Sequence, residues 1–358
     1  MKDETATCLP KQLIEKLTTW YEENKRDLPW RQTKNPYAVW VSEIMLQQTR
    51  VETVIPYYER FLSVLPDEKA LADCPEDRLL KLWEGLGYYS RVRNMQKAAQ
   101  IICSPDGFSG KFPDSYESLR SLPGLGAYTA GAIASIAFGE KVPAVDGNAL
   151  RILTRLMADE RLIDQETNKR TISQKLTVLM AEEKESFSPG NFNQSFMDLG
   201  SLVCLQHGAP RCELCPLKED CRAHALGEED AFPKKAPKKE RRIEERTILR
   251  IRDGERILID KRPPKGLLAG LWEFPNALGH LSEEEALSFT EQLGLQPLQI
   301  VPLPEAKHVF THIEWHMTGY EIRVASFEGK VPVSGSVLVT PEELMKSYPM
   351  PSAFRAYR

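Results

Sequence analysis

Residues Leu122 to Gly131 read L-P-G-L-G-A-Y-T-A-G, and they separate two stretches with helical periodicity. Pro123 and Gly124 end the first helix, and Gly126 permits a turn into the second. The first backbone N–H groups of that second helix have no partner inside the helix, and such groups bind anions such as phosphate. The stretch therefore predicts a corner between two helices, either purely structural or placed against a phosphate.

The 358-residue chain is long enough for two domains and carries a net charge of -4. Because proteins that bind nucleic acid usually have a basic footprint, the bulk charge alone argues against DNA as a ligand. Backbone N–H groups can supply part of the attraction without charged side chains. No apolar run approaches the roughly 20 residues of a membrane span, and no signal-peptide core follows Met1, so we expect a cytoplasmic protein without membrane contact.

The periodicity of apolar residues changes along the chain. From residue 10 to about residue 226 they recur at spacings of three and four, as in A-L-R-I-L-T-R-L, which predicts helices. After a charged stretch that we interpret as a solvated tether, R-T-I-L-R-I-R-D-G-E-R-I-L-I-D-K-R alternates around Asp253-Gly254, which predicts a β-hairpin. Further strands are predicted at G-Y-E-I-R-V-A-S-F and S-V-L-V-T, and a helix from Ser282 to Gln292. The predicted segments are an all-α region at 8–227, a charged linker at 228–246 and an α+β domain at 247–358.

Four of the seven cysteines form one short pattern, C-x7-C-x2-C-x5-C. Disulfides do not persist in the cytoplasm, and four thiolates at short spacing suit zinc or a [4Fe-4S] cluster. Zinc ribbons usually pair two C-x2-C knuckles, whereas here one knuckle is flanked by single cysteines, which favours the cluster. The predicted ligands are Cys204, Cys212, Cys215 and Cys221, in segment 204–221; Cys8, Cys74 and Cys103 are expected to be ordinary thiols.

Two carboxylates lie in unusual contexts. Glu43, in A-V-W-V-S-E-I-M-L-Q-Q-T, shares a helix face with Val39, Trp40 and Leu46, so burial should raise its pKa into the range of a general acid. Asp146, in V-P-A-V-D-G-N, precedes a helix and is either an N-cap or a functional carboxylate. One protonated and one charged carboxyl group are the pair that cleavage of a glycosidic bond requires.

Residues 10 to 226 resemble the helix-hairpin-helix DNA glycosylases, and the whole chain is similar to the MutY-type adenine DNA glycosylases. The motifs that carry this resemblance are L-P-W-R, S-E-I-M-L-Q-Q-T, G-L-G-Y-Y-S-R, L-P-G-L-G-A-Y-T-A-G, V-D-G-N, the cysteine segment and V-F-T-H. It implies a multidomain fold: an all-α helix-hairpin-helix glycosylase domain with an iron-sulfur cluster loop, and a C-terminal α+β Nudix-like domain. It also implies base excision repair by a nucleoid-associated monomer, which flips out adenine paired with 8-oxoguanine or guanine in double-stranded DNA and removes it.

The resemblance implies a role for each matching residue. Glu43 protonates N7 of adenine, Asp146 stabilises the cation at C1′, and Tyr128 and Asn148 support them. The adenine pocket is formed by Trp30, Arg31, Leu46 and Gln194. Contacts to DNA or to the lesion are implied for Gln48, Thr49, Leu86, Tyr88, Gly124, Gly126, Phe310, Thr311 and His312.

Tyr128 separates this sequence from its bifunctional relatives. Endonuclease III-like enzymes have lysine at this place, and its amine forms a Schiff base that leads to strand cleavage. A phenol cannot form that iminium, so we expect base removal that leaves an abasic site. A catalytically silent lesion-binding protein and a bifunctional lyase are the alternative hypotheses.

The C-terminal domain lacks the acidic signature of Nudix hydrolases. Where those enzymes have the metal-binding pattern R-E-x-x-E-E, this chain reads A-L-S-F-T-E-Q-L-G-L, so we expect lesion recognition instead of hydrolysis. Three further positions differ from the family pattern. The first cysteine gap is x7 instead of x6, Thr311 replaces serine, and Gln194 stands where some members have glutamate.

Overall fold

The computed structural model describes residues 9–237, 240–327 and 335–358, so Cys8, the first residue of the predicted α region, lies outside the described residues. Contacts within the chain divide it into two units. The first unit contains Met1–Asp73 and Asn94–Pro237, and the second contains Cys74–Arg93 and Lys238–Arg358. The segment 74–93, which lies inside the predicted α region, is thus grouped with the C-terminal residues.

Helices run through the described residues up to residue 226, as the three-and-four spacing predicts. They are α1 Leu13–Asn24, α2 Pro36–Met45, α3 Val51–Val64, α4 Glu68–Asp73, α5 Glu76–Leu82, α6 Ser90–Cys103, α7 Tyr116–Arg120, α8 Ala127–Ala137, α9 Gly147–Met157, α10 Glu166–Ala181, α11 Pro189–Leu202 and α12 Arg222–Leu226. A core of the first unit forms where α9, whose residues from Ala149 to Met157 are all buried, packs among residues of α1, α10 and α11. The charged face of α9 is buried too, since Arg151 and Arg155 lie inside this core.

Two glycines of the L-P-G-L-G-A-Y-T-A-G stretch have a steric explanation. Gly124 has a φ of +80°, and a Cβ atom there would lie 2.7 Å from Cβ of Asn94. Gly131, in α8, would place a Cβ atom 2.4 Å from the backbone oxygen of Pro143. Gly131 therefore lets α8 lie directly against the segment that leads to Asp146.

The second unit is built on a mixed β-sheet. Its strands are β1 Arg242–Asp253, β2 Arg256–Lys261, β3 Trp272–Glu273, β4 Asn276–Leu278, β5 Pro297–Val309, β6 Ile313–Val324 and β7 Ser336–Val339. The order is β3-β2-β1-β6-β5, with β4 paired to β1 and β7 paired to β2. The β1–β6 pair is parallel and runs from Arg242↔Ile313 to Arg252↔Arg323, while the other pairs are antiparallel. The hairpin predicted at Asp253-Gly254 is confirmed by the antiparallel β1–β2 pair.

Alternation along the strands fills a core on each face of the sheet. Ile248 of β1 packs with Trp272 and Trp315 on one face, which helix α14 (Pro341–Ser347) also covers through Leu344. On the other face Leu249 and Ile251 pack with residues of α13 (Glu283–Gln292). Ser282 caps α13 through a capping box with Glu285, so the helix predicted from Ser282 to Gln292 is confirmed.

The segment predicted as a solvated tether is largely ordered. Phe232 is buried in the first unit, the backbone N–H of Ile163 donates to the Lys234 carbonyl oxygen, and the N–H of Ala236 donates to Asp164. Strand β1 begins at Arg242, inside the predicted linker. The many charged residues of this segment outweigh its one aromatic residue, the buried Phe232. Its composition therefore suggests a free tether. No helix among the described residues is long and apolar enough to cross a membrane.

Candidate active site

Glu43 lies near the end of α2, in a helix whose residues from Tyr37 to Met45 are all buried. Two residues stabilise the start of this helix. Pro36 occupies its first position, and the side chain of the N-cap residue Asn35 accepts a hydrogen bond from the Ala38 N–H. The carboxyl group of Glu43 is only 3% exposed. Burial raises the pKa of Glu43 to about 7, although the hydrogen bond from Tyr128 opposes that rise. The predicted raised pKa is confirmed, and Glu43 can hold or release a proton near neutral pH.

Tyr128 connects α8 to this carboxyl group. Its phenol O–H donates to Oε2 of Glu43 over 2.6 Å. Burial, together with the charges of Glu43 and Asp146, raises the pKa of Tyr128 well above its ordinary value, so the phenol stays neutral and remains a donor. The side chain that distinguishes this sequence from the lysine-containing relatives therefore orients the buried acid.

Asp146 is the N-cap of α9 and also lines the pocket that contains Glu43, so its position fits both sequence interpretations, an N-cap and a functional carboxylate. As the N-cap of α9 it accepts the Ala149 N–H at Oδ1 over 2.7 Å, and at Oδ2 it accepts the side-chain amide of Asn148 over 2.6 Å. Burial raises the pKa of Asp146, while these two donors favour the carboxylate. Asp146 is thus held by two N–H groups next to the pocket that contains Glu43.

Asn148 is itself fixed from two sides. Its side-chain oxygen accepts a hydrogen bond from Nη2 of Arg151 over 2.9 Å. On the other side a Cβ atom built on Gly200 would lie 2.6 Å from Cβ and from Oδ1 of Asn148. The Asn148 amide can reach Asp146 because position 200 has no side chain.

These groups surround one cavity of about 590 Å³ inside the first unit. This volume lies within the range of pockets that bind small organic molecules. Trp30, at the cavity wall, is held edge-on against Tyr58, and the Gln194 amide donates to the Gly190 carbonyl oxygen over 3.2 Å. The predicted site residues that line the cavity are Trp30, Arg31, Glu43, Leu46, Thr49, Tyr128, Asp146, Asn148 and Gln194. The structure therefore brings the predicted catalytic residues and the predicted adenine-pocket residues together.

Two family models match this chain, one in its helical part and one in its C-terminal part. Residues 41–179 match the model of the HhH-GPD superfamily base excision DNA repair protein. Residues 247–358 match the model of the NUDIX domain.

Whole-chain relatives are more specific. The human adenine DNA glycosylase is 35% identical over 96% of this chain and 73% of its own length. The adenine DNA glycosylase of Buchnera aphidicola (strain Bp) is 35% identical, over 83% of this chain and 82% of its own. That of Arabidopsis thaliana is 38% identical over 83% of this chain, which spans 55% of the plant protein. The chain belongs to the adenine DNA glycosylase family. It is therefore a DNA glycosylase of base excision repair.

Solved structures agree with the helical fold of this glycosylase. A thermostable thymine-DNA glycosylase superposes with a TM-score of 0.53 at 24% identity, over 60% of this chain and 96% of that one. An endonuclease III in a non-covalent DNA complex superposes with a TM-score of 0.51 at 23% identity, over 61% and 98%. At this identity the likeness concerns the fold alone, and it confirms the predicted helix-hairpin-helix domain.

The four predicted metal ligands of the glycosylase meet at one place. Cys204, Cys212, Cys215 and Cys221 all line a cavity of about 30 Å³. Mainly through burial, the pKa of Cys215 is raised to about 12 and that of Cys212 to about 11, so these thiols stay protonated unless a metal ion binds them. Arg155 donates to Sγ of Cys204 over 3.2 Å.

The predicted DNA-contact residues lie at turns and helix ends. Gly126 is the N-cap of α8, and no side chain caps this helix. Gln48 lines a neighbouring cavity of about 980 Å³ that shares Leu46, Asp146 and Asn148 with the pocket of Glu43. Gln48 and Tyr88 both have left-handed backbone conformations, with φ values of +60° and +47°. Non-glycine residues adopt this conformation rarely, and mostly where function or packing requires it.

Within the second unit the G-L-G-Y-Y segment faces the β5–β6 loop. Residues of this segment, among them Gly87 and Tyr88, line a common cavity of about 570 Å³ with residues 308–313, and the hydroxyl groups of Tyr88 and Thr311 lie 3.0 Å apart. Phe310 packs edge-on against Trp315, whereas Thr311 and His312 are exposed. Leu86 is buried, so of the two predicted residues in this turn only Tyr88 reaches the surface.

Several charged residues in or near the pocket are absent from the sequence prediction, among them Asp198, Arg26 and Arg151. Asp198 is fully buried in α11, where it binds both Arg31 and Arg26. It stands four residues after Gln194, so the helical spacing places it on the same face as a predicted pocket residue. Arg151 bridges Asn148 and the carbonyl oxygen of Cys204, but nothing in its local sequence distinguishes it from a surface arginine of α9.

Proposed function

We propose that this adenine DNA glycosylase removes adenine paired with 8-oxoguanine or guanine in double-stranded DNA and leaves an abasic site without cutting the strand. The observation that carries the proposal is the hydrogen bond from the phenol of Tyr128 to Glu43, beside Asp146, in a pocket of suitable size for a base. A neutral phenol at this place offers no amine for a Schiff base.

The two carboxyl groups divide the chemistry. Protonated Glu43 gives its proton to the leaving adenine, and the bond between C1′ and the base then breaks with its electron pair going to the base. The resulting positive charge at C1′ faces the carboxylate of Asp146, which Asn148 and the Ala149 N–H hold in place. Water adds to C1′ and loses a proton, and the product is an abasic sugar.

The test is a single-turnover assay of adenine release with duplexes that carry adenine opposite 8-oxoguanine, guanine or thymine. We expect the fastest release opposite 8-oxoguanine, slower release opposite guanine and little opposite thymine. Strand breaks should appear only after alkali treatment. Borohydride-trapped protein–DNA adducts in amounts comparable to turnover would contradict the monofunctional mechanism, and tight binding without adenine release would favour a silent lesion-binding protein.

Recognition of the opposite base is assigned to the second unit. Support comes from the exposed side chains of Thr311 and His312 beside Phe310 and the exposed ring of Tyr88, which line one cavity with Ser352. Nudix hydrolysis is not proposed, because the glutamates of α13, which reads E-E-E-A-L-S-F-T-E-Q, do not form the R-E-x-x-E-E pattern. The Thr311 hydroxyl can donate to or accept from the lesion, in place of the serine that the family pattern has.

The cysteine cavity is proposed to hold a [4Fe-4S] cluster through Cys204, Cys212, Cys215 and Cys221. Four converging sulfur atoms are the donor set that such clusters use. The cluster would fix the loop between α11 and α12, whose Cys204 carbonyl oxygen accepts a hydrogen bond from Arg151. Iron and sulfide analysis of the purified protein should give both elements.

A zinc ion is the second candidate at this place. Ligand atoms of Cys212, His224 and Glu229 lie within 4.8 Å of one another, a mixed donor set that zinc accepts. Stoichiometric zinc without sulfide would support this alternative.

For the whole protein we propose a monomer that works at the nucleoid in the cytoplasm. Gel filtration would test the monomeric state, and imaging of a fluorescent fusion would test the location.

A further inference from the structure

Asp198 is a buried carboxylate that the proposed chemistry does not use. It lies in the last third of α11, which also carries the pocket residue Gln194, and its side chain is fully shielded from solvent. A buried carboxylate is unfavourable unless it is paired and hydrogen-bonded, so its partners reveal what it does.

Both oxygen atoms of the Asp198 carboxylate accept hydrogen bonds from two arginines. Arg31 approaches with both terminal nitrogens: Nη2 donates to Oδ1 over 2.8 Å and Nη1 donates to Oδ2. Arg26 donates to the same carboxylate through Nε, over 2.7 Å to Oδ1, and through its backbone N–H, over 3.1 Å to Oδ2. Against the effect of burial, these bonds and charges keep the pKa of Asp198 below its ordinary value, so it is a carboxylate at neutral pH.

Both arginines line the pocket that contains Glu43. The positive charge of Arg31 lowers the pKa of Glu43, in opposition to the dominant effect of burial. Two arginines and one carboxylate leave a single net positive charge on this wall of the pocket. Without Asp198, two unopposed cations would line the pocket, and this carboxylate would hold neither guanidinium group in one orientation.

We propose that Asp198 is a positioning residue that fixes Arg31 and Arg26 at the wall of the adenine pocket and limits the positive charge that acts on Glu43. The inference rests on the proposed assignment of this cavity as the adenine pocket. A fixed cation assists the departure of a base that gains electron density, whereas an excess of positive charge withdraws the proton that Glu43 must carry. The groups that line the cavity or act on Glu43 are Tyr128 from α8, Asp146 before α9, Arg31 and Arg26 near the Pro29–Arg31 turn, and Arg50 and Glu52 at the start of α3.

The test measures single-turnover adenine release between pH 5 and 9 for the wild type and for Asp198→Asn. Since the acid form of Glu43 is active, the rate falls as pH rises through its pKa. In Asp198→Asn the uncompensated arginines should lower that pKa, so the midpoint of the fall should move to lower pH by about half a unit or more. The smaller protonated fraction then costs about twofold in rate at pH 7, and the loss of orientation of Arg31 should bring the total loss to roughly tenfold. The double variant Asp198→Asn/Arg26→Gln restores the net charge and should move the midpoint back.

Two controls separate positioning from simple stability. Asp159→Asn removes the partner of Arg161 outside the cavity and should leave both rate and midpoint unchanged. Ser195→Ala removes a buried hydroxyl group from the same helix, α11, and should change thermal unfolding at most. If Asp198→Asn does not fold, Asp198→Glu keeps the charge but displaces Arg31, so it should lose rate while keeping the wild-type midpoint.

The outcomes distinguish the inference from the assignment on which it rests. A folded Asp198→Asn protein with the wild-type rate and midpoint would overturn the inference, and so would a loss of stability with neither kinetic change. If Asp198→Asn cannot be folded, Asp198→Glu at the full wild-type rate would overturn it as well. Full activity of Glu43→Gln in the same assay would instead overturn the pocket assignment.

Discussion

Glu43 and Thr311 differ in how firmly the folded protein holds their side chains and in how far solvent reaches them. Glu43 is buried, receives a 2.6 Å hydrogen bond from Tyr128 and has a strongly raised pKa. Thr311, in the loop of the second unit, is exposed, and its hydroxyl partner is Tyr88, which is 49% exposed. The acid is complete before any substrate arrives, whereas the reading surface offers replaceable contacts. In the proposed function the chemical groups are therefore preorganised, and discrimination of the opposite base depends on contacts that form only with DNA.

The largest effect that sharpens this contrast is expected from Glu43→Gln. The amide keeps the size of the side chain but cannot give a proton, so adenine release should slow by about 10³-fold with every opposite base. Single-turnover assays would measure this loss, with Glu59→Gln on the exposed face of α3 as the matched control. A loss confined to one opposite base would contradict a role in the chemical step.

The second effect is the pH dependence of the wild type. Glu43 has a raised pKa of about 7, and in the proposed mechanism it acts while protonated. Adenine release should therefore be fastest below about pH 7 and fall roughly tenfold for each further pH unit above it. DNA binding by Glu43→Gln, measured over the same range, controls for weaker association. A rate that stays level from pH 6 to pH 9 would show that this carboxyl group is not the acid.

Tyr128→Phe should have an intermediate effect. Removing the phenol O–H takes away a hydrogen bond to a buried carboxyl group, for which a loss of about tenfold in rate is reasonable. Because that bond lowers the pKa of Glu43, its removal should also move the fall in rate to higher pH, opposite to the shift expected for Asp198→Asn. Tyr57→Phe, outside the pocket, is the control, and an unshifted profile would separate Tyr128 from the acid.

The smallest effect is expected from Thr311→Val in the reading loop. The methyl group replaces a hydroxyl of nearly the same shape, so preference for 8-oxoguanine over guanine should fall by roughly threefold while the pH profile stays as in the wild type. The ratio of the two single-turnover rates measures this preference, and Thr318→Val in β6 serves as the control. A change in the pH midpoint would mean that the two regions are not independent.

The sequence could predict those features that depend on local pattern. The burial of Glu43 follows from the apolar face around it, and the cap formed by Asp146 follows from its place before α9. The β1–β2 hairpin follows from Asp253-Gly254. In each case the neighbours that decide the outcome lie within a few residues along the chain.

Features that depend on distant partners could not be predicted in this way. Asp198 accepts hydrogen bonds from Arg26 and Arg31, which lie 172 and 167 residues away in sequence. No local sequence pattern predicts such a pairing. The same holds for segment 74–93, which is tied to the second unit by contacts such as Lys261 with Asp77 over 2.9 Å. The anchoring of the linker by Phe232 was missed because a single buried aromatic residue is outweighed by the charges around it.

Gly200 shows how a site can be disabled from a position that touches neither substrate nor acid. A single added methyl group would overlap Asn148 and push its amide away from Asp146. Alanine is a small change in chemistry, yet under the proposed mechanism a Gly200→Ala enzyme would lose the support that Asn148 gives to Asp146 and would release adenine more slowly.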